Sequence, residues 1–141
     1  MLREVSIEII RKCPNQCIYC SSLSDDTCSE MIEYSKFVSI AEAAMELGVN
    51  TICLSGGEPF MHPEIINMIK AANSLGLYSF IYTSGIMADE LKTLKPLDVD
   101  MLKSIAGPAT KLIFNVEAAS QATYDLIMGT NGCFEFMKPS I

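Results

Sequence analysis

The chain has little positive charge and no long apolar run. It carries 10 Lys and Arg against 17 Asp and Glu, for a formal net charge of −7, and the basic residues form no cluster. Because a nucleic-acid-binding surface usually shows a Lys/Arg patch, we interpret the surface as acidic and soluble and expect no nucleic-acid partner. No stretch of 18 or more uninterrupted apolar residues occurs, so we expect no transmembrane helix and no membrane partner.

A secretory layout is also missing. Met1–Glu4 runs directly into a strand-like segment and lacks the basic and then apolar pattern of a signal peptide. The six cysteines do not indicate a small disulfide-bonded scaffold, because a chain of 141 residues that is 50% apolar is too long and too apolar for that class. We therefore expect one domain with a real core in a reducing, cytoplasmic compartment.

Strand-like and helix-like patterns alternate along the chain. Ser39 and Glu42 form a capping-box pattern at the start of one expected helix. Such alternation predicts an α/β fold in which a parallel sheet carries helices outside it, with about four βα units and right-handed crossovers. The expected strands cover residues 4–10, 51–54, 77–82 and 111–116, and the expected helical segments lie near 39–47, from 63 onwards, 88–95, 98–105 and 120–128.

Sequence motifs follow each expected strand. The cysteines come after the first strand, Gly-Gly-Glu-Pro after the second, Thr-Ser-Gly after the third, and Asn-Val-Glu ends the fourth. In parallel α/β folds, functional residues collect at the C-terminal ends of the strands. The four motifs are therefore expected to converge on one site.

The first motif has the spacing C-x3-C-x2-C, from Cys13, Cys17 and Cys20. It brings three thiolates within reach of one metal centre and supplies no fourth, whereas a closed zinc site or an electron-transfer cluster normally takes four protein ligands. Three cysteines on a [4Fe-4S] cluster leave one iron free. If Cys28 were the fourth ligand, the alternative would be a non-catalytic zinc-binding structural or interaction module.

This spacing and its flanks resemble the radical S-adenosylmethionine (SAM) superfamily. The resemblance implies that the free iron binds SAM, that one electron from a donor such as flavodoxin or ferredoxin cleaves it, and that the resulting 5′-deoxyadenosyl radical abstracts hydrogen from a substrate. It also implies that Tyr19, just before the third cysteine, lies beside the adenine.

The run Gly56-Gly57-Glu58-Pro59 resembles the GGEP motif of the family. The resemblance implies that Gly56, Gly57 and Glu58 bind the amino group of SAM. The alternative is a tight strand-to-helix loop, which also requires glycine.

Two weaker matches follow. Thr83-Ser84-Gly85 resembles a T-N-G run, with Ser where Asn is usual, and implies a lining for the SAM ribose and carboxylate; the alternative is a simple turn. Asn115 falls where the family often has a serine that touches SAM, and its side chain can both donate and accept hydrogen bonds. Residues 122–129 resemble a His-Asp-x-Ile-Arg-Gly segment, but Tyr124 and Met128 replace the His and the Arg, so no role carries over.

Three further residues have ordinary structural explanations. Cys53 lies in an apolar strand and is expected to be a buried, inert thiol, and Cys133 follows a turn and is expected to be no ligand. His62, the one histidine, matches a structural His-Pro pair in the family, with an acid–base or ligand role as the alternative.

The resemblance runs from residue 4 to the end of the chain but covers four of the six βα units of the family's partial barrel. We therefore expect residues 1–141 to be the N-terminal part of a radical SAM core domain, truncated, with its fourth strand at an open edge along which two copies could pair. The motif details resemble the branch that modifies peptides and proteins, associated with SPASM domains, so the expected substrate is a peptide or protein, by analogy alone.

Overall fold

A computed structural model describes residues 2–141. These residues form six strands and five α-helices. The strands are β1 (Glu4–Ile10), β2 (Thr51–Gly56), β3 (Tyr78–Thr83), β4 (Ile86–Ala88), β5 (Leu94–Pro96) and β6 (Thr110–Phe114). The helices are α1 (Tyr34–Glu46), α2 (Ile65–Ser74), α3 (Val99–Ile105), α4 (Gln121–Met128) and α5 (Cys133–Met137), with short 3-10 helices at Pro59–Met61 and Lys138–Ser140.

The main sheet has four strands in the order β1-β2-β3-β6, and every pair is parallel. The predicted parallel α/β architecture is therefore confirmed. Sequential strands lie side by side and are connected through helices, so the C-terminal ends of all four strands meet at one edge of the sheet. Within residues 2–141, β6 pairs on one side only, with β3.

The core lies between this sheet and the helices. Helix α1 buries Phe37, Ala41 and Ala44, which are spaced by four and three residues and so share one face. Ile52 and Leu54 of β2 are fully buried in the same cluster. Each fully buried side chain of this size contributes about 1.5–3 kcal/mol to folding, so this layer fixes the sheet that carries the strand ends.

The predicted start of the first helix is wrong. Helix α1 begins five residues earlier than expected, after Glu33, and no side chain caps it. The expected cap, Ser39, lies inside the helix, where its hydroxyl donates to the Ser35 carbonyl at 3.1 Å. Burial of Phe37 on the sheet sets the helix start, because packing outweighs a local capping pattern.

The predicted helix at 88–95 is also wrong, since this segment forms an antiparallel hairpin of β4 and β5. Asp89 is the physical reason. Its carboxylate accepts the backbone N–H groups of Leu91 and Thr93, both at 2.9 Å, and Lys92 has a positive φ of 62°. An aspartate that takes local backbone donors in this way stabilises a turn at the expense of a helix.

The last elements form a second, smaller core. Tyr124 and Met128 of α4 pack with Ile86, Cys133 and Met137. The end of the chain forms the five-residue α5, followed by a 3-10 turn that begins at Lys138. In the part of the chain that the structure describes, no helix combines the length and apolar character needed to cross a bilayer.

Candidate functional site

A cavity of about 290 Å³ opens at the C-terminal edge of the sheet. All three motif cysteines line it, and so do residues from the ends of the parallel strands. The predicted convergence of the motifs is therefore present in the structure. The lining residues are Glu8, Cys13, Asn15, Cys17, Tyr19, Cys20, Ser21, Ser22, Ser24, Ser55, Gly56, Gly57, Tyr82, Ser84, Asn115 and Met128.

The cysteine loop (residues 11–20) is tied to the segment that follows it. The Cys13 N–H donates to the Asp25 carbonyl at 2.9 Å, and the Arg11 N–H donates to the Glu30 carbonyl at 2.8 Å. Asp25 is itself held in a tight turn, because its carboxylate accepts the Thr27 N–H at 2.8 Å. These bonds fold residues 21–32 back over the end of β1 and fix where Cys13 enters the cavity.

The C-terminal end of α4 holds the other half of the cysteine loop. The Gln16 and Ile18 N–H groups donate to the carbonyls of Met128 and Ile127 at 3.0 and 2.9 Å. Gly129 ends the helix with φ 63°, and a Cβ there would lie 2.8 Å from the Gln16 carbonyl carbon and closer still to its oxygen. Residues 122–129, to which no family role carried over, therefore position the cysteines. Glycine is required at position 129 because the two backbones approach closely there.

The three thiols differ in their surroundings. Cys13 is buried, while Cys17 and Cys20 are half-buried. Burial raises the pKa of Cys13 well above its ordinary value of 9.0, and burial followed by the nearby Cys20 raises the pKa of Cys17. The Cys17 thiol lies 3.7 Å from the Met128 sulfur. Without metal these two thiols are therefore protonated near neutral pH, and binding iron must release their protons.

The donor set on the cavity wall is three cysteine thiols. In residues 2–141, no three His, Cys, Asp or Glu side chains close on one point as the ligands of a single metal ion would. A [4Fe-4S] cluster binds each thiolate at a different iron, so its ligands stand further apart. Cys28 does not line the cavity, and its thiol contacts the Leu23 carbonyl at 3.9 Å. The zinc alternative therefore lacks its fourth ligand in this structure.

The glycine loop (residues 55–58) lies directly against the cysteine loop. The Gly57 N–H donates to the Ile10 carbonyl at 2.7 Å, and the Glu58 N–H donates to the Lys12 carbonyl at 3.0 Å. Gly56 has a φ of 124°, and a Cβ on Gly57 would lie 2.7 Å from the Arg11 carbonyl oxygen. Both glycines are thus required by the meeting of two backbones, and both line the cavity.

Glu58 is fully buried behind the cavity wall. Its carboxylate accepts the hydroxyls of Thr83 and Ser84, both at 2.7 Å, and the N–H groups of Ser84 at 2.9 Å and Phe60 at 3.3 Å. Burial raises the pKa of Glu58, although the hydrogen bonds from Thr83 and Ser84 oppose the rise. The carboxylate therefore joins the glycine loop to the end of β3.

The predicted site residues thus divide into two groups. The structure brings most of them to the cavity wall, namely Cys13, Cys17, Cys20, Tyr19, Gly56, Gly57, Ser84 and Asn115. Glu58 and Thr83 lie behind that wall: Glu58 accepts the Ser84 hydroxyl, and Thr83 donates to Glu58. The Thr83 hydroxyl also accepts the Gly85 N–H at 2.9 Å, which fixes the turn after β3.

Two side chains from opposite sides meet at the mouth of the cavity. The Tyr19 hydroxyl donates to the exposed Glu117 carboxylate at 2.7 Å, and burial together with this bond raises the pKa of Tyr19. Asn115 is held through its backbone: its N–H donates to the Thr83 carbonyl at 3.0 Å, and its carbonyl accepts the Tyr124 hydroxyl at 3.2 Å. The Asn115 side chain remains available to a ligand.

Two buried side-chain oxygen atoms of the described residues have no partner in the protein, and both belong to cavity-lining residues. They are Asn15 Oδ1 and Ser24 Oγ, on residues that are 1% and 4% exposed. The Ser24 N–H donates to the Cys20 sulfur at 3.4 Å. Because buried polar groups in proteins are almost always hydrogen-bonded, these atoms indicate that the cavity takes a polar ligand, as a cluster and SAM would be.

Sequence reasoning missed several lining residues. Glu8, Ser55 and Tyr82 lie at or near the ends of β1, β2 and β3, on the side of the strands away from the helical core. The alternation of side chains along each strand was the signal that could have found them. Met128 had no such signal, since it reaches the cavity from a helix that follows the last strand.

The remaining singled-out residues lie outside the cavity. His62 is buried and bridges two segments: its Nδ1 accepts the Glu64 N–H at 3.0 Å, so its Nε2 donates to the Ile32 carbonyl at 2.9 Å. Cys53 is buried in the sheet, as predicted. The Cys133 thiol donates to the Asp125 carboxylate at 3.2 Å, and burial raises the pKa of Cys133 to about 12.

Curated relatives of the chain include proteins named PqqA peptide cyclase. The chain is 37% identical to the protein from Gluconobacter oxydans (strain 621H) over 92 residues, which cover 64% of this chain and 25% of that protein. It is 29% identical to the protein from Rhizobium meliloti (strain 1021) over 130 residues, which cover 91% of this chain and 32% of that protein. The chain spans about a quarter to a third of the length of these relatives.

Solved structures share the fold. SuiB of Streptococcus suis bound to the precursor peptide SuiA matches with a TM-score of 0.74 at 18% identity, over 93% of this chain and 28% of that chain. The structure of SuiB bound to S-adenosylmethionine matches with a TM-score of 0.73 at 18% identity, over 93% and 29%. TYW1 with a lysine-pyruvate adduct matches with a TM-score of 0.63 at 17% identity, over 98% and 50%.

A family model extends over nearly the whole cavity and fold. The model described as the radical SAM superfamily matches residues 7–138, which include the cysteine loop, the glycine loop and the ends of all four parallel strands. Membership of this family implies a [4Fe-4S] cluster and SAM as cofactors, which agrees with the three-cysteine donor set and the polar cavity. The chain belongs to the radical SAM superfamily.

Proposed function

We propose that the protein is the cluster-binding part of a radical SAM core domain (residues 1–141), in which Cys13, Cys17 and Cys20 hold a [4Fe-4S] cluster and SAM occupies the cavity beside it. One observation carries the proposal: three cysteines without a fourth line the same cavity as the glycine loop and the ends of β3 and β6. Open coordination at a metal site marks a catalytic centre rather than a structural one.

Each predicted residue receives a role from its place. Gly56 and Gly57 offer backbone to SAM at the cavity wall, and Tyr19 lies beside its adenine at the mouth. Ser84 and Asn115 offer hydrogen-bonding side chains from the ends of β3 and β6. Glu58 and Thr83 act indirectly, because Glu58 holds the Ser84 hydroxyl and Thr83 donates to Glu58.

When bound and reduced, the cluster and SAM supply a 5′-deoxyadenosyl radical that abstracts hydrogen from a substrate. The protein's own work is orientation and exclusion of water. Buried Cys13 anchors the deep side of the site, while the bond from Tyr19 to Glu117 closes one side of the mouth. Thiol protons leave when iron binds.

The proposed substrate is a peptide or protein. This rests on similarity to proteins named PqqA peptide cyclase and on the fold shared with SuiB bound to the precursor peptide SuiA. The proposed electron donor is a flavodoxin or ferredoxin, by family analogy alone. The proposed location is the cytoplasm, because all six cysteines are free thiols, which suits a reducing compartment.

Pairing of two copies along β6 is the proposed mode of self-association. Within residues 2–141 this strand has a neighbour on one side only, and an unpaired strand edge is a template for another chain. Light scattering at increasing concentration tests the pairing. A mass that stays at one chain, 15.5 kDa, contradicts it.

Anaerobic iron–sulfur reconstitution tests the central proposal. The wild-type protein should take up about four iron atoms per chain. Replacing any motif cysteine, for example Cys17→Ala, should lower this uptake sharply, whereas Cys28→Ala should leave it unchanged because Cys28 does not line the cavity. The matched control also separates the zinc alternative: equal loss of metal in the Cys28 and Cys17 variants would refute the three-cysteine site.

A further inference from the structure

We propose that Asn15 is a ligand-contacting residue whose side-chain carbonyl accepts a hydrogen bond from the ammonium group of SAM. The inference rests on the proposed function and adds a residue that no motif assigns. Asn15 lies in the cysteine loop between Cys13 and Cys17 and lines the cavity. It is 1% exposed, so its side chain does not face bulk solvent.

The hydrogen-bond network fixes the orientation of the Asn15 amide. Its Nδ2 lies 3.2 Å from the Ser84 hydroxyl oxygen. Toward the ionised Glu58 carboxylate that hydroxyl donates its one hydrogen, at 2.7 Å, so toward Asn15 it can only accept. The nitrogen must therefore face Ser84 and the oxygen must face away from it.

Asn15 Oδ1 is left without a partner by this arrangement. It is fully buried and accepts no hydrogen bond from the protein. Proteins rarely leave a buried acceptor unpaired unless a ligand, an ion or a water completes it. The other buried side-chain atom without a partner among the described residues, Ser24 Oγ, belongs to the same cavity wall. One polar ligand in the cavity would therefore supply the hydrogen-bond partner of both atoms.

The surrounding charge favours a cationic donor. Within residues 2–141, the lining of the cavity includes the carboxylate of Glu8 and three thiols but no Lys, Arg or His side chain. The Glu58 carboxylate lies one hydrogen bond behind Ser84. Among the donors that SAM carries, its ammonium group gains most from a neutral acceptor backed by negative charge, because charge-assisted hydrogen bonds are the stronger ones.

The test measures ligand affinity on the reconstituted protein by equilibrium dialysis. In Asn15→Leu both polar ends are replaced by an apolar group of similar shape, a change that folded proteins often tolerate. Iron content should stay at the wild-type level, and SAM should bind about 10- to 100-fold more weakly. Asn67→Leu is the matched control, because that asparagine is exposed on α2 and does not line the cavity; its SAM affinity should be unchanged.

Two fragments of SAM locate the contact. Methionine carries the ammonium group, and 5′-methylthioadenosine lacks it. Asn15→Leu should weaken methionine as it weakens SAM and should leave 5′-methylthioadenosine unchanged. Equal weakening of both fragments would mean that Asn15 only supports the wall, and unchanged SAM affinity would mean that Oδ1 binds water; either result overturns the proposal.

A rescue variant keeps the test decisive if Asn15→Leu does not fold. Asn15→Asp has nearly the same shape and keeps an acceptor oxygen in the place of Oδ1, so it should recover most of the SAM affinity that Asn15→Ser loses. Failure to recover it in a folded, iron-loaded protein contradicts the proposal. A wild-type protein that takes up no iron or binds no SAM would instead count against the proposed function itself.

Discussion

Replacing Gly57 with alanine should break the contact between the glycine loop and the cysteine loop. The added Cβ would lie 2.7 Å from the carbonyl oxygen of Arg11 and closer still to that of Lys12. Both atoms are backbone, so the collision cannot be relieved by rotating a side chain. Overpacking of this kind costs about 1–3 kcal/mol, which lowers the melting temperature by about 2–4 °C per kcal/mol in a chain of this size.

Two other glycines distinguish the effect of the steric collision on stability from the effect of backbone strain. Gly48 has a φ of 80° but open space around it, so Gly48→Ala tests backbone strain alone and should cost about 1 kcal/mol. Gly107 has neither a positive φ nor a neighbour within 4 Å, so Gly107→Ala should change stability by less than about 0.5 kcal/mol. Urea unfolding of the three variants measures these differences.

Iron content provides the second readout for Gly57→Ala. The collision displaces the Lys12 carbonyl, which directly precedes Cys13, so reconstituted iron per chain should fall well below that of Gly48→Ala at similar stability. If the Gly57 and Gly48 variants held equal iron, or if the Gly57 variant were as stable as the Gly107 variant, the reasoning from the close approach would be refuted.

Three other predictions follow from single contacts. Because burial raises the pKa of Glu58, the folded state holds that proton more tightly than the unfolded state. The protonated form therefore stabilises the fold, and stability is lost as pH rises above the ordinary value of 4.5. Glu58→Gln should remove this loss from a series of urea midpoints between about pH 4 and about pH 7, and the same dependence on pH in variant and wild type would contradict it. Tyr124→Phe deletes the buried bond to the Asn115 carbonyl and should cost about 1 kcal/mol in urea unfolding; no change would mean that this bond adds nothing. Tyr19→Ala should weaken SAM binding about tenfold through lost stacking while Tyr19→Phe should not, and dialysis that finds the two variants alike would argue against the adenine contact.

The sheet could be predicted from the sequence because its determinants are local. Short apolar strands that alternate with helical patterns require a parallel sheet, and the turns at Gly48 and Gly76 mark the helix ends with positive φ. The hairpin of β4 and β5 could not be predicted from that periodicity. It depends on one aspartate, Asp89, that takes two backbone donors, and the sequence does not reveal which of several local bonds will form.

The residues of the cavity wall could be predicted where a sequence motif contains them. They could not be predicted where contacts between distant parts of the chain bring them to the wall. The spacing of Cys13, Cys17 and Cys20 is readable from the chain, but the end of α4 that holds these cysteines lies more than 100 residues away. Glu58 illustrates the same limit. The motif predicts that Glu58 contacts a ligand. In the structure its carboxylate accepts four hydrogen bonds behind the cavity wall, and no sequence pattern indicates that it is buried.

Electron paramagnetic resonance of the reduced, anaerobically reconstituted protein, recorded with and without SAM, tests the open-iron claim most directly. We predict a [4Fe-4S]⁺ signal that changes when SAM is added, because three cysteines leave one iron free to bind it. A cluster signal that SAM does not alter, or the absence of a cluster in folded, reconstituted protein, would contradict the account.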